Sequence, residues 1–345
     1  MKYTSVAMRE LMTLINMQPF GSVVSVYKAK DITLKPFAFV LNVSKLMDSS
    51  EVEIAPGHTL RRATNKEIKF TKDTITPLFG HNFGRGLWES RYPTSGSGKF
   101  VQLPAKQWRY FVIEFSSDNE NFELLEEALA IAPHGLEIGF TLLTATLNNQ
   151  ALCACVYRPP RLFQLLSALR SEVESKQGNI RILTKTEGQQ ISEVYAKLGT
   201  HDHKILDLHR ILKLVLELKD LPQFSPLQIL GYFAILESIL THQPNPVDRY
   251  DSITRQITRK LALLNTRWHP ALDYASFGGA THDTVWSKLY AYRSAIAHGT
   301  TPDFKSKLSA LGTADNANVL IRDAVKKTIR QALIEPQLLA DLHNC

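Results

Sequence analysis

Cysteine is scarce: the chain of 345 residues holds three, at positions 153, 155 and 345. So few thiols make no disulfide framework. Cys153 and Cys155, two apart on an extended segment, share a face but have poor geometry for a bond. A reducing cytoplasm is the expected compartment. No run of about 18 apolar residues is present, which argues against a membrane-spanning helix. Arg9 and Glu10 interrupt the stretch that a signal peptide would need to keep apolar. No serine-nucleophile elbow, zinc ribbon, dinucleotide fingerprint, internal repeat or low-complexity tract occurs. Ser95-Gly96-Ser97-Gly98-Lys99 suggests a phosphate loop, but Pro93 occupies the earlier glycine position and Phe100 follows the lysine where Ser or Thr is needed. The surrounding segment 81–99 reads as a surface loop. His201-Asp202-His203 with His209 lacks the carboxylates or cysteines that would complete a metal site, and reads as a helix N-terminal cap with solvated histidines.

What the chain does have is ordinary for a soluble globular protein, with 44% apolar and 21% charged residues. Its length predicts about two domains. Forty Lys and Arg against 33 Asp and Glu leave a net charge of +7, which favours an anionic partner. Residues 201–345 carry 17 basic and 14 acidic side chains, so the excess is spread over the chain and locates no binding face.

Residues 1–200 read as an α+β domain. Stretches rich in β-branched and aromatic residues recur at 22–28, 37–43, 108–115, 136–146 and 152–157, with helices at 120–131 and 161–176. Thr64-Asn65-Lys66-Glu67 marks another helix start. In this capping box Thr64 accepts from the third backbone N–H and Glu67 reaches back to the cap.

Residues 201–345 read as an all-α bundle. Apolar residues recur at helical spacing in five stretches: Ile205 to Leu216, Ile229 to Leu240, Ile253 to Leu264, Val285 to Ile296, and Val319 to Leu333. Pro222, Pro226, Pro244, Pro246, Pro270, Gly278-Gly279, Gly299 and Pro302 separate them, and such short connections imply antiparallel neighbours around one core. Glu237, at the edge of the second stripe, needs a cation if it is partly buried. The third stretch holds Arg255, Arg259, Lys260 and Arg267 with no acid between 254 and 270, a pattern that suits phosphate contacts.

The fourth helix ends in Arg293-Ser294-Ala295-Ile296-Ala297-His298-Gly299. A guanidinium can hold a phosphate in a fixed fork, and an imidazole can exchange a proton near neutral pH; metal-free phosphodiester cleavage needs both. Five steps along an ideal helix turn about 140° past a full turn. Arg293 and His298 therefore share one broad side only if the last turn loosens, which a left-handed Gly299 would allow.

Arg293 to His298 resembles the R-x4-H signature of the HEPN superfamily, in particular its Apea-like branch, where a helix ends in an arginine-serine-x-x-x-histidine-glycine stretch. Tyr232-Phe233-Ala234-Ile235-Leu236-Glu237-Ser238-Ile239-Leu240 is similar to the family's earlier helix, with its leucine-glutamate pair. Leu60-Arg61-Arg62-Ala63-Thr64 resembles N-terminal regions of Apea-like proteins. Many HEPN ribonucleases carry Asn, Asp or His after the arginine; here it is Ser294. The resemblance implies a HEPN-like helical bundle that acts as a metal-independent endoribonuclease without a cofactor. His298 would be general base or acid and Arg293 the stabiliser of phosphoryl charge, with Glu237 and Ser294 in support. RNA would be the partner, with Arg255, Arg259, Lys260 and Lys288 as contacts. A homodimer would assemble a composite active site, and the N-terminal domain would sense a phage-derived trigger in abortive anti-phage defence. The alternative is a non-catalytic HEPN module for RNA binding or dimerisation.

Overall fold

A computed structural model describes residues 23–29, 34–40, 43–47, 49–76, 90–91, 101–102, 110–115, 122–147, 150–157, 181–202, 206–222, 225–244 and 252–345. They fall into two compact units, Met1–Leu129 with His134–Glu193 and Ala130–Pro133 with Val194–Cys345. The division comes a little before the expected residue 200. The expected helix at 161–176 lies outside the described residues.

The first unit is built on an antiparallel sheet. Its strands are β1 (Val23–Ala29), β2 (Phe37–Val40), β4 (Glu51–Ala55), β5 (His58–Arg62), β8 (Phe111–Phe115), β9 (Ile138–Leu147) and β10 (Gln150–Tyr157), with β3 (Val43–Leu46), β6 (Ser90–Arg91), β7 (Val101–Gln102) and β11 (Arg181–Leu183) outside it. The order is β1-β10-β9-β2-β8-β5-β4. β2 lies at its centre, and Phe37, Ala38, Phe39 and Val40 are all fully buried, so both of its faces are covered. The apolar stretch 37–43 does not continue as one strand. β2 ends at Val40, and β3, from Val43, pairs in parallel with β11. Part of the expected 81–99 loop is also regular, since β6 pairs with β7.

The β4–β5 hairpin escaped the strand reading of the sequence. Its turn runs through Pro56 and Gly57, and Gly57 takes φ +72°, a conformation that glycine adopts without a Cβ penalty. Helix α1 (Asn65–Ile75) starts at the expected capping box, with Thr64 N–H donating to Glu67 at 2.7 Å and Glu67 N–H to Thr64 Oγ1 at 3.3 Å. α2 (Phe122–Ile131) matches the helix expected at 120–131. α3 (Lys185–Gly199) was not foreseen, although Thr184 and Glu187 form a second box of the same kind.

The second unit contains α4 (Leu208–Leu218), α5 (Pro226–Leu240), α6 (Ile253–Asn265), α7 (His282–Ala297), α8 (Ala314–Ile334) and α9 (Pro336–Asn344). The cap of α4 is Asp207, which accepts from Arg210 N–H at 3.1 Å; the histidine stretch before it does not cap. His201 instead bonds through Nε2 to the Leu206 carbonyl at 3.0 Å, and His203 lies outside the described residues. α5 packs against α4, α6, α7, α8 and α9. That position explains why PLQILGYFAILESIL is apolar nearly all round, since a helix surrounded by others has no polar face to present. Each large side chain it buries contributes about 1.5–3 kcal/mol. α4 approaches closely at Gly231, where a Cβ would lie 2.2 Å from Leu218 Cδ2. One expected core position is corrected: Val319 is exposed at 49%, because it falls on the outer side of α8.

Candidate functional site

α7 carries the Arg293–His298 motif. Val285, Trp286, Leu289 and Tyr292 bury one side of it, so Arg293 falls beside the buried stripe and is half-exposed. Hydrogen bonds moor its first turns. His282 Nε2 contacts the Thr258 carbonyl at 2.9 Å, Nδ1 contacts the Tyr274 hydroxyl at 2.7 Å, and Trp286 Nε1 donates to that hydroxyl at 3.0 Å. Since a carbonyl can only accept, Nε2 bears a proton. Burial raises the Tyr274 hydroxyl above its ordinary pKa, against the opposing bond from Trp286.

Two residue pairs interlock α7 with α5. Tyr290 meets Phe233 edge to face at 5.8 Å. One turn further along both helices, Arg293 Nη2 stands 3.5 Å from Glu237 Oε1. Arg293 also places its guanidinium carbon 5.6 Å from the centre of the Tyr290 ring. The ion pair is longer than a charge-assisted hydrogen bond, about 2.8 Å. Glu237 Oε1 and Arg293 Nε are buried and make no hydrogen bond among the described residues. Charge and a ring face hold this guanidinium. Burial raises the Glu237 carboxyl above its ordinary pKa, and the Arg293 charge draws it only partly back.

α7 stays helical to Ala297, with the His298 N–H still donating to Ser294 O at 3.0 Å, and closes at Gly299. His298 is the C-cap, with φ −94° and ψ 6°, and Gly299 follows at φ +68°. Gly299 N–H donates to Ile296 O at 3.1 Å and Thr300 N–H to Ala295 O at 2.9 Å, the paired bonds of a Schellman closure. These bonds satisfy the last carbonyls and turn the chain away, leaving the imidazole exposed. Tyr292 and Phe304 then pack edge to face at 5.0 Å, which folds the following segment back on α7.

The other candidates divide. Ser294 is half-buried, and its carbonyl accepts the His298 N–H at 3.0 Å. Arg255 and Arg259 are exposed on α6, and Lys288 is half-buried on α7. Lys260 is corrected. It is buried, and its ammonium donates to the Leu240 carbonyl at 2.7 Å and the Cys345 carbonyl at 3.0 Å. It caps the end of α5 from inside the bundle and is removed from the basic face. Tyr290 was missed by sequence reading; the available signal was an aromatic residue one turn before Arg293, where i and i+3 side chains meet.

Arg61, within the stretch 60–64, serves structure. Its five N–H groups donate to Glu114 twice, to Glu67 twice and to the Arg62 carbonyl, and Lys35 approaches Glu114 at 2.5 Å. Burial alone would raise the Glu67 carboxyl. The Arg61 and Thr64 hydrogen bonds and the Arg61 charge outweigh it and hold the group below its ordinary value.

No family model, curated protein or solved structure matches this chain.

Proposed function

We propose that the helical unit is a HEPN-type, metal-independent endoribonuclease that cleaves RNA by attack of a ribose 2′-hydroxyl on the adjacent phosphate, breaking the bond from phosphorus to the 5′-oxygen and leaving a 2′,3′-cyclic phosphate and a 5′-hydroxyl. The observation that supports this reading best is the state of Arg293. Its guanidinium stands 3.5 Å from Glu237 with the side chain 31% exposed, and an exposed His298 ends the same helix. Arg293 stabilises the charge that gathers on the phosphoryl oxygens, and His298 moves the proton. The reaction needs an acid and a base, while one chain offers one motif histidine; a two-fold homodimer supplies the second. Within this reading the protein works in the cytoplasm in abortive anti-phage defence, and the first unit senses a phage-derived trigger.

The test is cleavage of a mixed RNA pool in EDTA by the wild type, Arg293→Ala and His298→Ala, with thermal melts on each. Cleavage by the wild type alone, with all three folded, supports the ribonuclease. Ser294, standing where many HEPN ribonucleases carry Asn, Asp or His, favours the second reading of a non-catalytic RNA-binding or dimerisation module. RNA affinity that falls steeply with salt, without cleavage, supports RNA binding; dimerisation without RNA affinity supports the other.

A further inference from the structure

Resting on the reading of Arg293 as a phosphate ligand, we propose that Tyr290 is a positioning residue whose ring is the platform that aims the Arg293 fork at an RNA phosphodiester. Arginine loses much rotamer freedom when it is fixed, so an arginine that must meet a phosphate in one orientation gains from being ordered beforehand. Hydrogen bonds do not provide that order, because Nε has no partner among the described residues and Glu237 stays 3.5 Å away. The Tyr290 ring does. Its centre lies 5.6 Å from the guanidinium carbon, inside the reach of about 6 Å at which a cation is drawn to an aromatic face. The platform is itself fixed, since Tyr290 meets the buried Phe233 edge to face.

Tyr290 is not simply core. It is half-buried between Leu289, which is fully covered, and an exposed Ala291, and its hydroxyl makes no hydrogen bond among the described residues. Its ring thus spans the gap between the bundle interior and the one arginine of the motif. Glu237 restrains the cation from one side by charge, while Tyr290 restrains it by a face that competes with no phosphate oxygen.

The experiment uses the full chain and two probes: a fluorescent mixed-sequence RNA carrying 2′-O-methyl groups, which cannot supply the attacking hydroxyl, for affinity, and unmodified RNA for kcat and KM. Tyr290→Leu is expected to weaken probe binding roughly three- to ten-fold, the ordering cost that Arg293 would then carry on binding, and to lower kcat as well. Tyr290→Phe keeps the ring and restores both. Equal losses in the Phe and Leu variants overturn the platform, because the hydroxyl is then the operative group. If Arg293→Ala is impaired and Tyr290→Leu is not, the platform falls while the arginine stands; if Arg293→Ala binds and cleaves as the wild type does, both fall. Should Tyr290→Leu melt early, Tyr290→Met replaces it with a flexible side chain that fills the gap without an aromatic face.

Discussion

Arg293 and Glu237 face each other from α7 and α5 at 3.5 Å, and the buried carboxylate oxygen nearest the guanidinium has no hydrogen bond among the described residues. A long, partly exposed ion pair contributes little to stability, about 1 kcal/mol or less. Glu237→Ala is therefore expected to change the urea midpoint only slightly while lowering RNA cleavage, because Arg293 loses one of its two restraints. Unchanged stability together with unchanged cleavage would sink the pairing.

The raised carboxyl of Glu237 has a definite sign in stability. A group that holds its proton more tightly in the fold contributes stability below its ordinary pKa of 4.5, and that contribution is lost as pH rises through the higher folded value. Glu237→Gln does not titrate. The melting temperature of Glu237→Gln minus that of the wild type should grow between about pH 4 and neutrality; a flat difference across that window contradicts the raised value.

Gly299 closes α7 at φ +68°. A Cβ in the left-handed region costs about 1–2 kcal/mol, and Asn tolerates it better than Ala. Gly299→Ala is expected to lower stability by that amount, and Gly299→Asn by less. Calorimetry of the pair gives the ranking, and Ala melting no earlier than Asn would mean that the closure is not held by this residue.

Arg61 neutralises two carboxylates, one of them on the buried Glu67. Arg61→Ala should cost about 3 kcal/mol, since it strands buried charge. The pH dependence follows from the lowered Glu67 carboxyl. Its stabilisation is present above the ordinary 4.5 and is lost as pH falls through the lower folded value, so acid unfolding of Arg61→Ala should show less of this loss. Denaturant melts at several acidic pH values measure both effects.

Arg255 and Arg259 are exposed, whereas Lys260 points inward. Replacing both arginines by Ala is expected to weaken RNA binding and reduce its salt slope by about two, with little change in melting. Lys260→Met should do the reverse, costing about 1–3 kcal/mol through the unpaired Leu240 carbonyl and leaving the salt slope alone. Fluorescence titration at several salt concentrations separates the two classes.

Much of the secondary structure was legible because its causes are local. Thr64 and Glu67, Gly299, and the apolar repeats of α4 to α8 act over three to five residues, and each appears where those residues place it. Thr184 with Glu187 carried the same signal as Thr64 with Glu67, and α3 could have been read from it. Other features were hidden in the sequence. Nothing between Phe37 and Val43 states that one strand joins the main sheet and the next pairs elsewhere, because strand partners are chosen across the chain.

By itself, then, the sequence determined where several of the helices lie, that its second half is helical, and that an arginine and a histidine occupy one helix end. Those are consequences of backbone capping and of the 3.6-residue period, which need no distant partner. Only the tertiary structure decided that Lys260 is spent on a buried carbonyl, that Glu237 stops short of Arg293, and that Tyr290 lies between that cation and the core. A long charged side chain on a helix can reach water or a neighbouring helix from the same backbone position, and which of the two it does depends on what packs beside it.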